Sequence, residues 1–72
     1  MKNGDKYIGE WLTEKRIKAG LTQAELGKKL GVTKSAICQY EKGSRAMTAV
    51  MFINACHILD ANPSELTGVL RS

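Results

Sequence analysis

The order of apolar and polar positions divides the chain into short segments with helical spacing. Gly20, Gly31 and Gly43 each follow such a segment, and glycine is the usual residue just past a helix end. Between two of them, Leu26 and Leu30 lie four residues apart on one helix face. No segment alternates strictly between apolar and polar residues, as a half-buried strand would. The pattern therefore predicts an all-α fold.

Residues that cap free backbone N–H groups mark the starts of the predicted helices. Thr22 and Thr33 each stand two residues after a glycine, and Thr22 with Glu25 matches a capping box. Asn62 followed by Pro63 repeats the signal, since proline is favoured at the first helical position. The signals predict five helices, over about residues 5–19, 23–30, 34–42, 49–59 and 63–70.

Helices 2 and 3 are separated by a very short turn. Only Gly31, Val32 and Thr33 lie between them, so the two helices must cross at a steep angle. Gly31 is expected to take a positive φ and Val32 to fill the corner. Glycine costs about 1 kcal/mol inside a helix, so Gly27 is best explained by a close approach of the two helix backbones.

Helix 3 is amphipathic. One side of its helical wheel carries Lys34, Ser35, Cys38, Gln39 and Lys42, and the other carries apolar residues. Lysine, serine and glutamine can hydrogen-bond to the edges of base pairs. A plain solvated helix face has the same appearance, so the wheel alone does not choose between the two interpretations.

The residues of helices 2 and 3 resemble the helix-turn-helix of phage repressors and Cro proteins. The resemblance rests on Gln23-Ala24-Glu25-Leu26-Gly27, Leu30-Gly31-Val32-Thr33, Ile37, Tyr40-Glu41 and Gly43. It implies one domain over residues 1–72, folded as a compact five-helix bundle. Its helix-turn-helix core would span 22–43, and its apolar C-terminal helices 48–70. The implied function is sequence-specific binding of a double-stranded DNA operator by a short, stand-alone Cro-like regulator in a genetic switch.

The resemblance also implies roles for individual residues. The positions expected to read bases are Lys34, Ser35 and Gln39. The positions expected to contact phosphates are Gln23 at the start of helix 2, and Lys42, Ser44 and Arg45 beyond helix 3. Arg16 and Glu41 match a structural ion pair between helices 1 and 3. The chain departs from the family at Gly27, where alanine is usual, and at Met47, where proline is usual.

Charge is divided unevenly along the 72 residues. Residues 1–45 hold ten Lys and Arg against five Asp and Glu, whereas residues 46–72 hold one Arg against two acids. A basic region beside an apolar one suggests a polyanion-binding face and a separate packing or pairing face. The alternative is a basic surface that is merely solvated.

Helix 4 has more apolar surface than one core-facing stripe needs. Val50 and Ile53 lie opposite the expected core stripe, among polar residues. Either helix 5 covers them, or they form a protein–protein interface together with Leu66, Val69 and Leu70. Such an interface would produce a homodimer, or a heteromer with a cognate repressor.

Little in the sequence points to other chemistry. Cys38 and Cys56 form no C-x-x-C pair, which fits a reducing compartment, and Cys38 is interpreted as a tolerated small residue rather than a redox switch. His57 is expected on the surface, without a metal-ligand cluster. We therefore expect no enzyme activity, metal, cofactor or small-molecule substrate. The most apolar stretch, 46–59, is too short to span a membrane, and no signal peptide is visible, so a cytoplasmic protein is expected.

Two other functions stay open at this stage. The protein is also consistent with a small modulator, or antirepressor, that binds mainly a cognate repressor. The second alternative is the antitoxin of a toxin–antitoxin pair, although the chain has no spare segment to wrap a toxin.

Overall fold

The computed structural model describes residues 4–62. It contains the helices α1 (Gly4–Lys18), α2 (Gln23–Leu30), α3 (Lys34–Lys42) and α4 (Ala49–Leu59). No strand occurs in this part of the chain. The all-helical class is therefore confirmed, and α2, α3 and α4 have the bounds that the sequence predicts.

The predicted number of helices was wrong. The structure has four helices over residues 4–62 rather than the five-helix bundle that was expected. The predicted fifth helix, over 63–70, lies outside the described residues. Its prediction rested on the capping pattern that begins at Asn62, and a cap contributes only about 1 kcal/mol. A short helix needs tertiary packing in addition to a cap, so the motif alone was insufficient evidence.

Each of the last three helices begins with a threonine cap. The hydroxyl groups of Thr22, Thr33 and Thr48 accept the backbone N–H of the residue three positions later, at 3.0–3.1 Å. At Thr22 the capping box is complete, because its own N–H donates to the carboxylate of Glu25 at 2.8 Å. These caps fix where the helices start and therefore how long the connecting turns are.

The ends of these helices require left-handed backbone. Gly31 and Gly43 follow α2 and α3 with a φ of 78° each, which glycine adopts without strain. After α4 the same role falls to Asp60, with a φ of 53°. Asp60 is the only residue other than glycine with a positive φ in the described part of the chain.

The core lies where α1 and α2 pack against α3 and α4 closes the remaining side. Leu12, Leu26 and Ile37 are fully buried, one from each of the first three helices. The Trp11 and Phe52 rings, with centroids 5.0 Å apart, join α1 to α4. The other buried apolar residues are Ala36, Tyr40, Ala55, Cys56 and Leu59. This core holds α3 by one face and leaves its other face outward.

Candidate nucleic-acid interface

The turn between α2 and α3 fixes the two helices relative to each other. The Val32 N–H donates to the Gly27 carbonyl at 2.8 Å, and Thr33 immediately caps α3. A Cβ at Gly27 would lie 2.7 Å from the Val32 carbonyl oxygen. The close backbone approach predicted at Gly27 is therefore confirmed, and any larger residue there would force the two helices apart.

The outward side of α3 carries the three side chains that were expected to read bases. Lys34, Ser35 and Gln39 are exposed, whereas Ala36 and Ile37 are buried. Within residues 4–62, none of the three exposed side chains has a hydrogen bond or an ion pair with another side chain or the backbone. Their donors and acceptors are therefore presented to solvent on a helix whose opposite face is locked in the core.

Arg16 and Glu41 form an ion pair that links α1 to α3. Arg16 Nε lies 2.7 Å from Glu41 Oε2, and the two side chains are 15% and 7% exposed. Arg16 also donates to the second carboxylate oxygen at 3.3 Å and to the Leu21 carbonyl at 2.9 Å. Both charges are largely removed from water, so removing either side chain would leave the other as an uncompensated charge.

Gln23 is part of the same network. Its Nε2 donates to Glu41 Oε1 at 2.9 Å, so one of its two amide N–H groups is used inside the protein. Gln23 is also the first residue of α2, and within residues 4–62 the backbone N–H groups of Gln23 and Ala24 have no acceptor. The start of α2 therefore offers free donors at the positive end of a helix dipole.

The loop after α3 holds the other residues expected at phosphates. Lys42 and Arg45 are exposed, and the Arg45 guanidinium carbon lies 5.4 Å from the centroid of the Tyr40 ring. Ser44 is also exposed, and both its N–H and its hydroxyl donate to the Gln39 carbonyl, at 3.0 and 3.2 Å. Lys42 at the end of α3 and Arg45 in the loop thus present two cations, while Gly43 ends α3 and Ser44 caps its last turn.

Electrostatics at the start of α2 are shaped by the capping box. The Thr22 backbone N–H, followed by the Thr22 hydroxyl, holds the pKa of Glu25 below its ordinary value of 4.5. Glu25 is therefore charged at neutral pH, and its charge is used locally to stabilise the helix start.

The candidate pairing surface lies on α4. Val50 is 68% exposed and Ile53 is 60% exposed, and no other part of residues 4–62 covers them. Three further residues assigned to this surface, Leu66, Val69 and Leu70, lie outside the described residues. The part of the surface that the structure describes is therefore one apolar patch on the outward side of α4.

The described part of the chain has neither a metal-binding cluster nor a membrane-spanning helix. Residues 4–62 contain no group of three or more His, Cys, Asp or Glu side chains able to hold a metal ion. None of the four helices is long and apolar enough to cross a membrane.

Three features of the site were missed by the sequence reasoning. The Gln23–Glu41 bond and the Arg45–Tyr40 contact join residues 18 and five positions apart, and no local pattern signals either. The cap at Thr48 could have been predicted from the sequence, because a threonine directly precedes the apolar run of α4.

Comparison with known proteins gives a consistent family. A family model described as helix-turn-helix matches residues 12–66. An uncharacterised HTH-type transcriptional regulator, y4aM, from Sinorhizobium fredii is 33% identical over 60 residues, or 83% of this chain. The chain spans 42% of the length of that curated relative.

Two solved structures are similar to the whole helical unit. The restriction-modification controller protein C.AhdI from Aeromonas hydrophila superposes with a TM-score of 0.78 at 31% identity, covering 86% of this chain and 90% of that chain. The clp gene regulator ClgR from C. glutamicum superposes with a TM-score of 0.81 at 22% identity, covering 86% of this chain and 80% of that chain. The second similarity concerns the fold alone.

Proposed function

This chain belongs to the Cro/C1-type helix-turn-helix family of DNA-binding transcription regulators, and we propose that it reads a specific double-stranded operator with α3. The observation that carries the proposal is the outward side of α3. Lys34, Ser35 and Gln39 are exposed there without partners in the described chain, on a helix whose inner face includes the fully buried Ile37. A rigid helix with free donors and acceptors fits the major groove.

The proposed reading follows from the chemistry of the three side chains. Gln39 can pair with an adenine through one donor and one acceptor, Lys34 can donate to a guanine, and Ser35 can bond to several base edges. Each correct contact of this kind is worth about 1–3 kcal/mol of discrimination against a wrong base.

We propose that the DNA backbone is held at two places on either side of α3. The first is the start of α2, where the Gln23 side chain and two free backbone N–H groups would bind a phosphate. The second is the loop after α3, where Lys42 and Arg45 would bind phosphates as cations. Ser44, which was also expected at a phosphate, would support this second place by holding the end of α3, because its hydroxyl donates to the Gln39 carbonyl.

Pairing of two copies through α4 is the proposed way to reach a palindromic operator. Two recognition helices about 34 Å apart can enter successive major grooves on one side of the DNA. The exposed Val50 and Ile53 provide the apolar contact for a second copy. Ile53→Lys should then lower the mass measured by light scattering, while Ala19→Lys, at an exposed position after α1, serves as a control for the added charge. An unchanged mass for Ile53→Lys would remove the pairing surface from α4.

The proposed physiological role is operator occupancy that blocks polymerase in a genetic switch of the phage repressor and Cro kind. A related setting is suggested by C.AhdI, which is a restriction-modification controller protein. The DNA flanking the protein's own gene is the substrate that tests both settings, because regulators of either kind would bind there.

The test is fluorescence anisotropy with that flanking DNA, using random DNA as competitor at two salt concentrations. Specific binding should survive the competitor and weaken steeply with salt. Gln39→Ala should cost about 1–3 kcal/mol on the preferred site and little on random DNA. Asn54→Ala removes an exposed amide from α4 and should leave binding unchanged.

The opposite result would favour a protein partner. If the parent binds all DNA weakly and Gln39→Ala has no effect, the assignment of α3 as a reading helix is wrong. The exposed apolar patch of Val50 and Ile53 then becomes the leading surface, and the neighbouring regulator or toxin gene products become the partners to test.

A further inference from the structure

The first turn of α1 is packed against the last turn of α3. A Cβ at Gly43 would lie 2.8 Å from the Lys6 Cα and 3.0 Å from the Lys6 nitrogen. One turn further along α1, a Cβ at Gly9 would lie 2.6 Å from the Glu41 carbonyl oxygen and would overlap that of Tyr40. The two segments therefore touch through their backbones, and the position of Lys6 is set by this contact.

This packing places a lysine beside the loop after α3. Gly43 is flanked by Lys42 and followed by Ser44 and Arg45, and the Lys6 backbone lies directly against it. Lys6, Lys42 and Arg45 are all exposed. Three cations from two distant parts of the sequence therefore gather at one end of α3.

Acidic side chains nearby do not cancel this cluster. Glu41, the acidic residue of the last turn of α3, points to Arg16 and is 7% exposed. Asp5 precedes Lys6 on α1 and Glu10 follows it by one turn, but within residues 4–62 neither forms an ion pair or hydrogen bond with the Lys6 side chain. Lys6 also stands in the first turn of a helix, where the dipole disfavours a cation. The Lys6 ammonium group is therefore free to bind an external anion.

We propose that Lys6 is an additional DNA-backbone contact, which binds a phosphate adjacent to those held by Lys42 and Arg45. The proposal rests on the proposed DNA-binding function, since it assumes that a strand passes the loop after α3. Phosphates recur along each strand at a rise of 3.4 Å, so a strand at this loop presents more than one. The flexible stem of lysine lets its ammonium group reach the next phosphate as a point charge.

The proposed contact at Lys6 lies outside the part of the chain that the family model matches. The helix-turn-helix model begins at residue 12, so Lys6 lies outside it. The contact is also independent of sequence reading, because a lysine on a phosphate carries no base information. Its loss should weaken operator and random DNA by the same factor.

The experiment compares Lys6→Gln with Lys18→Gln in the full chain. Both variants lower the net charge from +4 to +3, but residue 18 lies twelve positions along α1, about 18 Å away. That distance exceeds the Debye length of about 8 Å at 0.15 M ionic strength. Lys6→Arg keeps the charge and should bind as the parent does. Thermal unfolding followed by circular dichroism verifies that each variant is folded.

Anisotropy titrations over 50–300 mM salt provide the readout. Removing one phosphate contact should make the negative slope of log K against log salt shallower by about 0.9 and weaken binding about fivefold at 0.15 M. The proposal is supported if Lys6→Gln does this on both operator and random DNA and Lys18→Gln does not. It is overturned if the slope for Lys6→Gln equals that of the parent, or if it differs from the parent slope by no more than the slope for Lys18→Gln does. A parent without salt-dependent DNA binding would instead overturn the proposed function, together with this contact.

Discussion

Replacing Arg16 with methionine would test how strongly the ion pair holds the fold together. In the native structure the Glu41 carboxylate accepts three hydrogen bonds, two from Arg16 and one from Gln23. The Glu41 side chain is only 7% exposed. Arg16→Met removes two of the three donors and leaves a buried negative charge without its counterion. The Leu21 carbonyl loses its Arg16 donor at the same time.

The expected cost can be worked from these contacts. Breaking a buried pair by removing one partner costs about 3–5 kcal/mol. Because the Gln23 amide still donates to Glu41, we expect the lower end, about 3 kcal/mol. A domain of this size has a net stability of only about 3–5 kcal/mol. Arg16→Met should therefore retain only about 0–2 kcal/mol, so that up to about half of it is unfolded at 25 °C, whereas Lys18→Met, at an exposed position of the same helix, should change stability by less than about 0.5 kcal/mol.

Urea unfolding followed by circular dichroism measures this effect. The double variant Arg16→Met/Glu41→Leu removes both charges, so it should recover most of the lost stability. The reasoning is refuted if Arg16→Met costs less than about 1 kcal/mol, or if the double variant is no more stable than the single one. The first result would mean that water solvates Glu41. The second would mean that the arginine contributes by packing rather than by charge.

Two further predictions concern the helix ends. Asp60→Gly should raise the free energy of unfolding by about 0.5–1 kcal/mol, because Asp60 holds a φ of 53° that glycine adopts without strain. Thermal melts measure this change. The control is Asn54→Gly inside α4, which should instead lower stability. A lower melting temperature for Asp60→Gly would contradict the assignment of strain. The pKa of Glu25 is held low in the folded state, so its contribution to stability is present above its ordinary value of 4.5 and is lost as pH falls through the lowered pKa. Melts between pH 6 and pH 2 should therefore show a smaller loss of stability for Glu25→Gln than for the parent, and identical profiles would rule out the linkage.

Local signals in the sequence were sufficient for the helices that carry the candidate site. The start of each helix is fixed by a threonine and its end by a glycine: Thr22 and Gly31 for α2, Thr33 and Gly43 for α3. The bounds given by these caps agree with those given by the apolar periodicity. The helical wheel indicated which residues of α3 face outward, and the resemblance to a known family added the roles expected of them. Both sources use information that lies close together along the chain.

Features that depend on contacts between distant segments could not be predicted in the same way. The bond from Gln23 to Glu41 and the packing of Lys6 on Gly43 arise only when α1, α2 and α3 meet. The expected five-helix bundle illustrates the opposite case, because its fifth helix rested on a local cap at Asn62 alone, whereas the structure has four helices over residues 4–62. Asp60 was missed because aspartate adopts left-handed backbone too seldom to be expected there.

The shortness of α3 has a consequence for the lifetime of the protein. A nine-residue helix is too short to persist alone in water, so α3 exists only while Ile37 and Tyr40 stay in the core. The surface that would read DNA is thus held by the core rather than by a mobile attachment. Its backbone amides should exchange with deuterium only through global opening. A ligand that holds α3 in place would then slow degradation of the whole chain, so that the cellular half-life of the regulator would report how much of it is bound to its operator.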